Sequence, residues 1–101
     1  MEDIQNLELK SEKIAEILKM LAHPKRLLIL CKLSDWEKTV WELEKLCSLS
    51  QSQLSQFLWK MKDEWILKWE KKWLHVSYSI CDENVKKLLE SLSDIYCKED
   101  C

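Results

Sequence analysis

"SQSQLSQFLWKMKDEWILKWEKKWLHVSYSI", Ser50 to Ile80, holds two periodicities in succession, and the change between them decides the fold. Leu54, Phe57, Leu58 and Met61 recur at helical spacing and form an inward stripe. Gln51, Ser52, Ser55, Gln56 and Lys60 form the opposite, polar face. Ser50 is a good N-cap, and Gln53 three residues later completes a capping-box pattern. From Trp65 the period falls to two, and "WILKWEKKWLHVSYSI" reads as two short strands around the tip "EKKW". Turns of such a hairpin usually want glycine, because φ > 0 is often needed there, yet Trp65, Trp69 and Trp73 stand where the chain would turn or need little bulk.

Outward from this core the chain is helical. "LELKSEKIAEILKMLA" places Leu7, Ile14, Ile17, Leu18 and Leu21 on one face of a first helix. His23–Pro24 breaks it, and Pro24 suits the first turn of a second, "PKRLLILCKLS", apolar on most sides and so expected to be buried. Val40, Leu43 and Leu46 give a short third helix. Asp82 caps a last one carrying Val85, Leu88, Leu89, Leu92, Ile95 and Tyr96. The expected order is α-α-α-α-β-β-α: mainly α with a small β-hairpin wing, a winged helix-turn-helix. One domain spans 1–101, with an N-terminal dimerisation helix at 1–22, the helix-turn-helix at 38–64, the wing at 65–80 and a C-terminal dimerisation helix at 82–97. The terminal helices carry more apolar positions than a lone domain of this size needs. We expect Ile14, Ile17, Leu18, Leu88, Leu89, Leu92, Ile95 and Tyr96 to pair two protomers into a homodimer that matches a palindromic site.

The net charge of −2 argues at first against a nucleic-acid partner. Its distribution argues otherwise: residues 50–80 carry five Lys against three acids, while 81–101 carry three Lys against six. A basic middle between acidic ends can present a cationic face to phosphate. No apolar run approaches the roughly 20 residues of a membrane span, and no signal-peptide pattern opens the chain, so a cytoplasmic protein without a membrane partner is expected. Cys31, Cys47, Cys81, Cys97 and Cys101 are odd in number and contain no CxxC, which disfavours a disulfide framework.

Recognition helices present N-terminal residues to base edges in the major groove, and Gln suits adenine while Ser is tolerant. Ser50, Gln51, Ser52, Gln53, Ser55, Gln56 and Lys60 are therefore the candidate DNA-reading residues, with Lys68, Lys71, Lys72 and His75 of the wing meeting phosphate or the minor groove. The partner expected is double-stranded DNA. No Gly-rich phosphate loop, nucleophile–base pair or acidic pair points to an enzyme. A winged helix serving only protein contacts would have lost the polar residues of "SQSQLSQ".

"LKMLAHPKRLLILCKLS", "TVWELEKLCSLSQSQLSQFLWKMKDE" and "HVSYSI" resemble the ArsR/SmtB family of dimeric bacterial repressors over about residues 10 to 97. The resemblance implies a repressor. Metal-sensing members carry a Cys-x-Cys-type pair where this chain has "TVWEL", and His on the last helix, where residues 82–97 have none. His23 and His75 are paired with no Cys at ligand spacing, so no metal or cofactor is expected. The narrower resemblance is to the thiol-based BigR/SqrR/HlyU subgroup, which responds to persulfide or oxidant. By that resemblance Cys31 and Cys97 are the sensing thiols, facing each other within one protomer, and a bridge between them through reactive sulfur or oxidant releases the operator. A lowered thiol pKa would then be supplied by Lys25, Arg26 or Lys98. Cys47 reads as packing and Cys101 as a terminal thiol. The alternative is a metal-responsive or constitutive repressor without thiol sensing. Phe57 stands where the subgroup often has His, and its place in the apolar stripe turns it inward.

The chain has six Trp and no Gly, although average usage is about 7% Gly. Against the family pattern, Trp65 falls where glycine ends the recognition helix and Trp73 at the wing tip. Trp36, Trp41 and Trp59 also fall at small-residue positions. A gene in which UGA means glycine accounts for this, and fifteen Lys against one Arg fits an AT-rich genome. The functional alternative is a base-stacking wing built from Trp69 and Trp73.

Overall fold

The computed structural model describes residues 4–97. Eight elements follow in order: α1 (Ile4–Leu21), α2 (Pro24–Leu33), β1 (Lys38–Thr39), α3 (Val40–Cys47), α4 (Gln51–Asp63), β2 (Leu67–Lys72), β3 (His75–Ile80) and α5 (Glu83–Tyr96). The helices and the hairpin fall in the expected sequence. One strand is added: β1 pairs antiparallel with β3, so the sheet has three strands in the order β1-β3-β2. The hairpin tip is Trp73–Leu74 and not "EKKW", because Glu70 and Lys71 remain paired with Ser77 and Val76 and Lys72 with His75.

Local chemistry sets the boundaries. His23 is extended, and its Nδ1 accepts from the Lys25 N–H at 3.2 Å, so it caps α2 with Pro24 just inside the helix. The Arg26 guanidinium donates from Nε to the Met20 carbonyl at 2.8 Å and satisfies an orphan acceptor at the end of α1. Thr39 and Glu42 form a capping box at α3, and Ser50 and Gln53 form the expected one at α4. Asp82 accepts from the N–H groups of Asn84 and Val85 at the start of α5.

The core lies between α2, α3, α4 and the inner face of the hairpin. Ile29, Leu30, Leu43, Leu54, Leu58 and Met61 are almost wholly buried, joined by Ile66, Leu67, Val85 and Leu89. Two expectations are corrected here. α2 is buried on one side only, and Cys31 is exposed. Leu89, grouped with the pairing face, is 2% exposed and belongs to the protomer's own core, because it lies one helical turn beyond Val85.

α1 behaves differently. Among its described side chains only Met20 and Leu21 at its end are buried, while Leu7, Leu9, Ile14 and Leu18 are each about half exposed or more. At the far end of α5, Ile95 and Tyr96 are exposed as well. The radius of gyration is 15.1 Å, against about 13 Å for a compact domain of 100 residues. The excess reflects terminal helices that project from the core. No described helix is long and apolar enough to cross a membrane.

Candidate functional site

α3 and α4 are joined by Ser48, Leu49 and Ser50. Ser48 adopts left-handed φ of 52°, which turns the chain, and buried Leu49 pins the turn to the core. α4 then sets Leu54, Leu58 and Met61 inward and Gln51, Ser52, Ser55, Gln56 and Lys60 outward, all exposed. Phe57 is half-buried as its stripe required, with its ring 5.1 Å from that of His23. Two of the candidate DNA readers have a prior engagement. The Gln53 N–H donates to Ser50 Oγ at 3.2 Å, and Gln53 Oε1 accepts from the Ser50 N–H at 3.3 Å. Ser50 and Gln53 therefore fix the start of α4, while Gln51, Ser52, Ser55 and Gln56 keep free side chains on its outer face. Trp59 and Asp63 share that face, lining a shallow cleft with Ser55, Gln56 and Lys60.

The wing divides its cations between two faces. Strand alternation and register put Lys68, Lys72 and His75 on one side and Lys71 on the other, beside Trp69. Lys72 Nζ lies 2.7 Å from the Glu37 carboxylate and 3.8 Å from Glu70. The bond from Lys72, helped by Ser77 and the charge of Lys68, holds the Glu37 carboxyl below its usual range, and Glu37 in turn raises Lys72. Lys72, expected to meet phosphate or the minor groove, is thus paired with Glu37. Lys60, Lys68 and Lys71 are exposed.

The thiols form a second feature. Cys31 in α2 and Cys97 at the end of α5 are free, exposed and close enough to interact electrostatically. Burial of the sulfur on its protein side, then Cys97, push the Cys31 thiol above its ordinary value, against a smaller pull from Lys32. This reverses the expected lowering. Arg26 is spent on α1 carbonyls, Lys25 acts on Cys47 instead, and Lys98, like Cys101, lies outside the described residues. Cys47 is buried in the core, and burial raises its thiol too. Cys81 is exposed and its Sγ lies 3.2 Å from the Trp65 carbonyl. Among the described residues no group of three or more His, Cys, Asp or Glu could hold a metal ion.

Of the residues expected to pair protomers, Ile14, Leu18, Ile95 and Tyr96 are exposed, Leu92 is half-buried, and Ile17 and Leu88 pack against the core. Sequence reasoning missed β1, the Glu37–Lys72 bridge and the Thr39 cap. Only the last left a legible signal, the spacing of Thr39 and Glu42 in "TVWE".

Comparison with known proteins agrees with this geometry. Residues 23–66 match the profile described as "Bacterial regulatory protein, arsR family". The HTH-type transcriptional regulator YgaV of Escherichia coli (strain K12) is 38% identical, covering 96% of this chain and 99% of its own. The structure of reduced HlyU from Vibrio cholerae superposes with a TM-score of 0.89 at 37% identity, over 94% of this chain and all of that one. The transcriptional repressor BigR from Xylella fastidiosa superposes with a TM-score of 0.86 at 28% identity, over 97% of this chain and all of that one.

Proposed function

The chain belongs to the arsR family of bacterial regulatory proteins, and on that premise we propose that it is a homodimeric transcriptional repressor governed by Cys31 and Cys97. It is a regulator and not an enzyme. Gln51, Ser52, Ser55 and Gln56 reach base edges in the major groove, and Lys60, Lys68, Lys71 and His75 meet phosphate. Ser50 and Gln53 hold the start of α4, whose N–H groups favour a phosphate. The exposed apolar residues of α1 and α5 pair two protomers and set the half-site spacing.

The observation that carries the regulatory reading is that Cys31 on α2 and Cys97 at the end of α5 are both free and exposed, and that Cys97 acts electrostatically on the Cys31 thiol. Bridging them removes two electrons and two protons from the thiols. A peroxide is reduced to water in that step, and a hydropolysulfide to hydrogen sulfide. The bridge ties α5 to α2 and biases the dimer away from its DNA-binding arrangement. Operator affinity tests this in wild type, Cys31→Ser and Cys97→Ser, with and without polysulfide. Wild type loses affinity on treatment and each variant keeps it. Variants that release DNA as wild type does overturn the sensing role.

A second reading, a constitutive repressor, is favoured by one observation. The raised Cys31 thiol holds less thiolate at neutral pH, and thiolate is the reactive form. In that case polysulfide leaves wild-type affinity unchanged.

A further inference from the structure

We infer that the six tryptophan codons are UGA, that the cell owning this gene reads UGA as glycine, and that the native chain therefore has glycine at 36, 41, 59, 65, 69 and 73. The backbone at Trp65 and Trp73 carries the inference.

α4 ends in a complete Schellman motif. The Ile66 N–H donates to the Met61 carbonyl and the Trp65 N–H to the Lys62 carbonyl, both at 3.0 Å. Ile66 and Met61 are both buried, supplying the apolar contact that accompanies this motif. The residue between cap and contact is Trp65, with φ of 63°. Glycine normally fills that position, since a Cβ crowds the following carbonyl in the left-handed region.

The hairpin makes the same demand by different means. Lys72 and His75 are paired, leaving Trp73–Leu74 as a two-residue loop. Trp73 has φ of 60°, and Leu74 is not among the residues of positive φ. A loop with positive φ at its first central residue alone has the pattern of a II′ turn, which places glycine there. Among the described residues only Ser48, Trp65 and Trp73 have positive φ. Serine is small and polar, whereas a bulky side chain there is a conformational outlier.

None of the indoles takes part in packing the core. Trp65 is 82% and Trp73 87% exposed, and the other four range from 47% to 71%. Tryptophan is on average among the most buried side chains, yet this core closes without one. Trp41 and Trp69 lie under Lys45 and Lys62, contacts an exposed indole finds beside any lysine. Trp36 lies in the bend between α2 and β1, and Trp59 projects from the outer face of α4. These four have ordinary φ, and they join the inference because a chain of this length without glycine has no other source of it.

The inference is independent of the Cys31–Cys97 reading. Two measurements test it. The first is fragmentation mass spectrometry of the peptide spanning residues 60–74, from protein isolated from the source cell, with the gene's codons read alongside. Glycine at 65 and 73, encoded by UGA, is expected; tryptophan at either, or UGG codons there, overturns it. The second compares the chain as written with Trp65→Gly/Trp73→Gly. The double variant melts several degrees higher. An unchanged or lower midpoint removes the conformational ground for the inference.

Discussion

Glu37 and Lys72 lie 35 residues apart in sequence and 2.7 Å apart in space, joining the segment before β1 to the outer strand of the wing. The pair neutralises a cation on a surface otherwise suited to phosphate. Glu37→Gln should free Lys72 for DNA, so affinity rises and the salt dependence steepens by about one unit of log–log slope. Titration of binding against salt concentration measures both.

The same pair has a defined pH window. The Glu37 carboxyl is lowered, so the tether is whole above the ordinary glutamate value of about 4.3 and fades as pH falls through the lower folded value. Lys72 is raised, so the tether persists below the ordinary lysine value and is lost only as pH rises beyond it. Both groups lie at the surface, and no large change in global stability is expected. With the intrinsic pH dependence of exchange divided out, amide protection at the hairpin tip should fall on acidification in wild type and be low at all pH values in Glu37→Gln.

At the start of α4, Ser50→Ala removes the acceptor of the Gln53 N–H. Loss of such a cap costs about 1 kcal/mol, which lowers the melting midpoint by about 4–8 °C in a domain of this size. Gln56→Ala, on the free outer face, should leave the midpoint unchanged and weaken discrimination between operator and competitor DNA.

The raised Cys31 thiol predicts slow alkylation at neutral pH and a rate that climbs past pH 8.5 or so, the ordinary thiol value. Cys97→Ser removes one cause of the shift and moves the profile toward lower pH. Because the folded value is raised, the associated stability is whole below the ordinary value and declines as pH rises through the folded one. Alkylation rates followed by mass spectrometry distinguish Cys31 from Cys97 and from buried Cys47.

Leu89 and Ile95 occupy one helix but should fail differently. Leu89→Ala opens a cavity in the protomer core and costs about 2–5 kcal/mol, at any protein concentration. Ile95 is 65% exposed, so Ile95→Ala should leave the protomer intact and shift the monomer–dimer equilibrium. Sedimentation and denaturation at several concentrations separate the two.

How far the sequence could be read follows from what each feature depends on. The stripe of Leu54, Leu58 and Met61, the Ser50–Gln53 box and the Asp82 cap are local patterns, and each was legible in "SQSQLSQFLWKM" or "CDENV". The side of α5 that Leu89 takes depends on what packs against it, which spacing alone does not reveal. β1 is two residues long, too short for any periodicity, and exists because β3 offers it a partner. The direction of the Cys31 shift was misread for a related reason. Neighbouring lysines and arginine can be counted in sequence, but the engagement of Arg26 with the end of α1, and the burial around the sulfur, arise only in three dimensions.

Thr39 holds two positions at once: it pairs with Ser77 as the last residue of β1, and its hydroxyl accepts the Glu42 N–H to begin α3. No slack separates the sheet from the helix that braces α4. On the proposed function the hairpin and α4 would then meet DNA as one piece, as the jaws of a fixed wrench do. If the proposed two-fold assembly pairs through the terminal helices, release would come from changing the span between the two wrenches at the end of α5, where Cys97 stands.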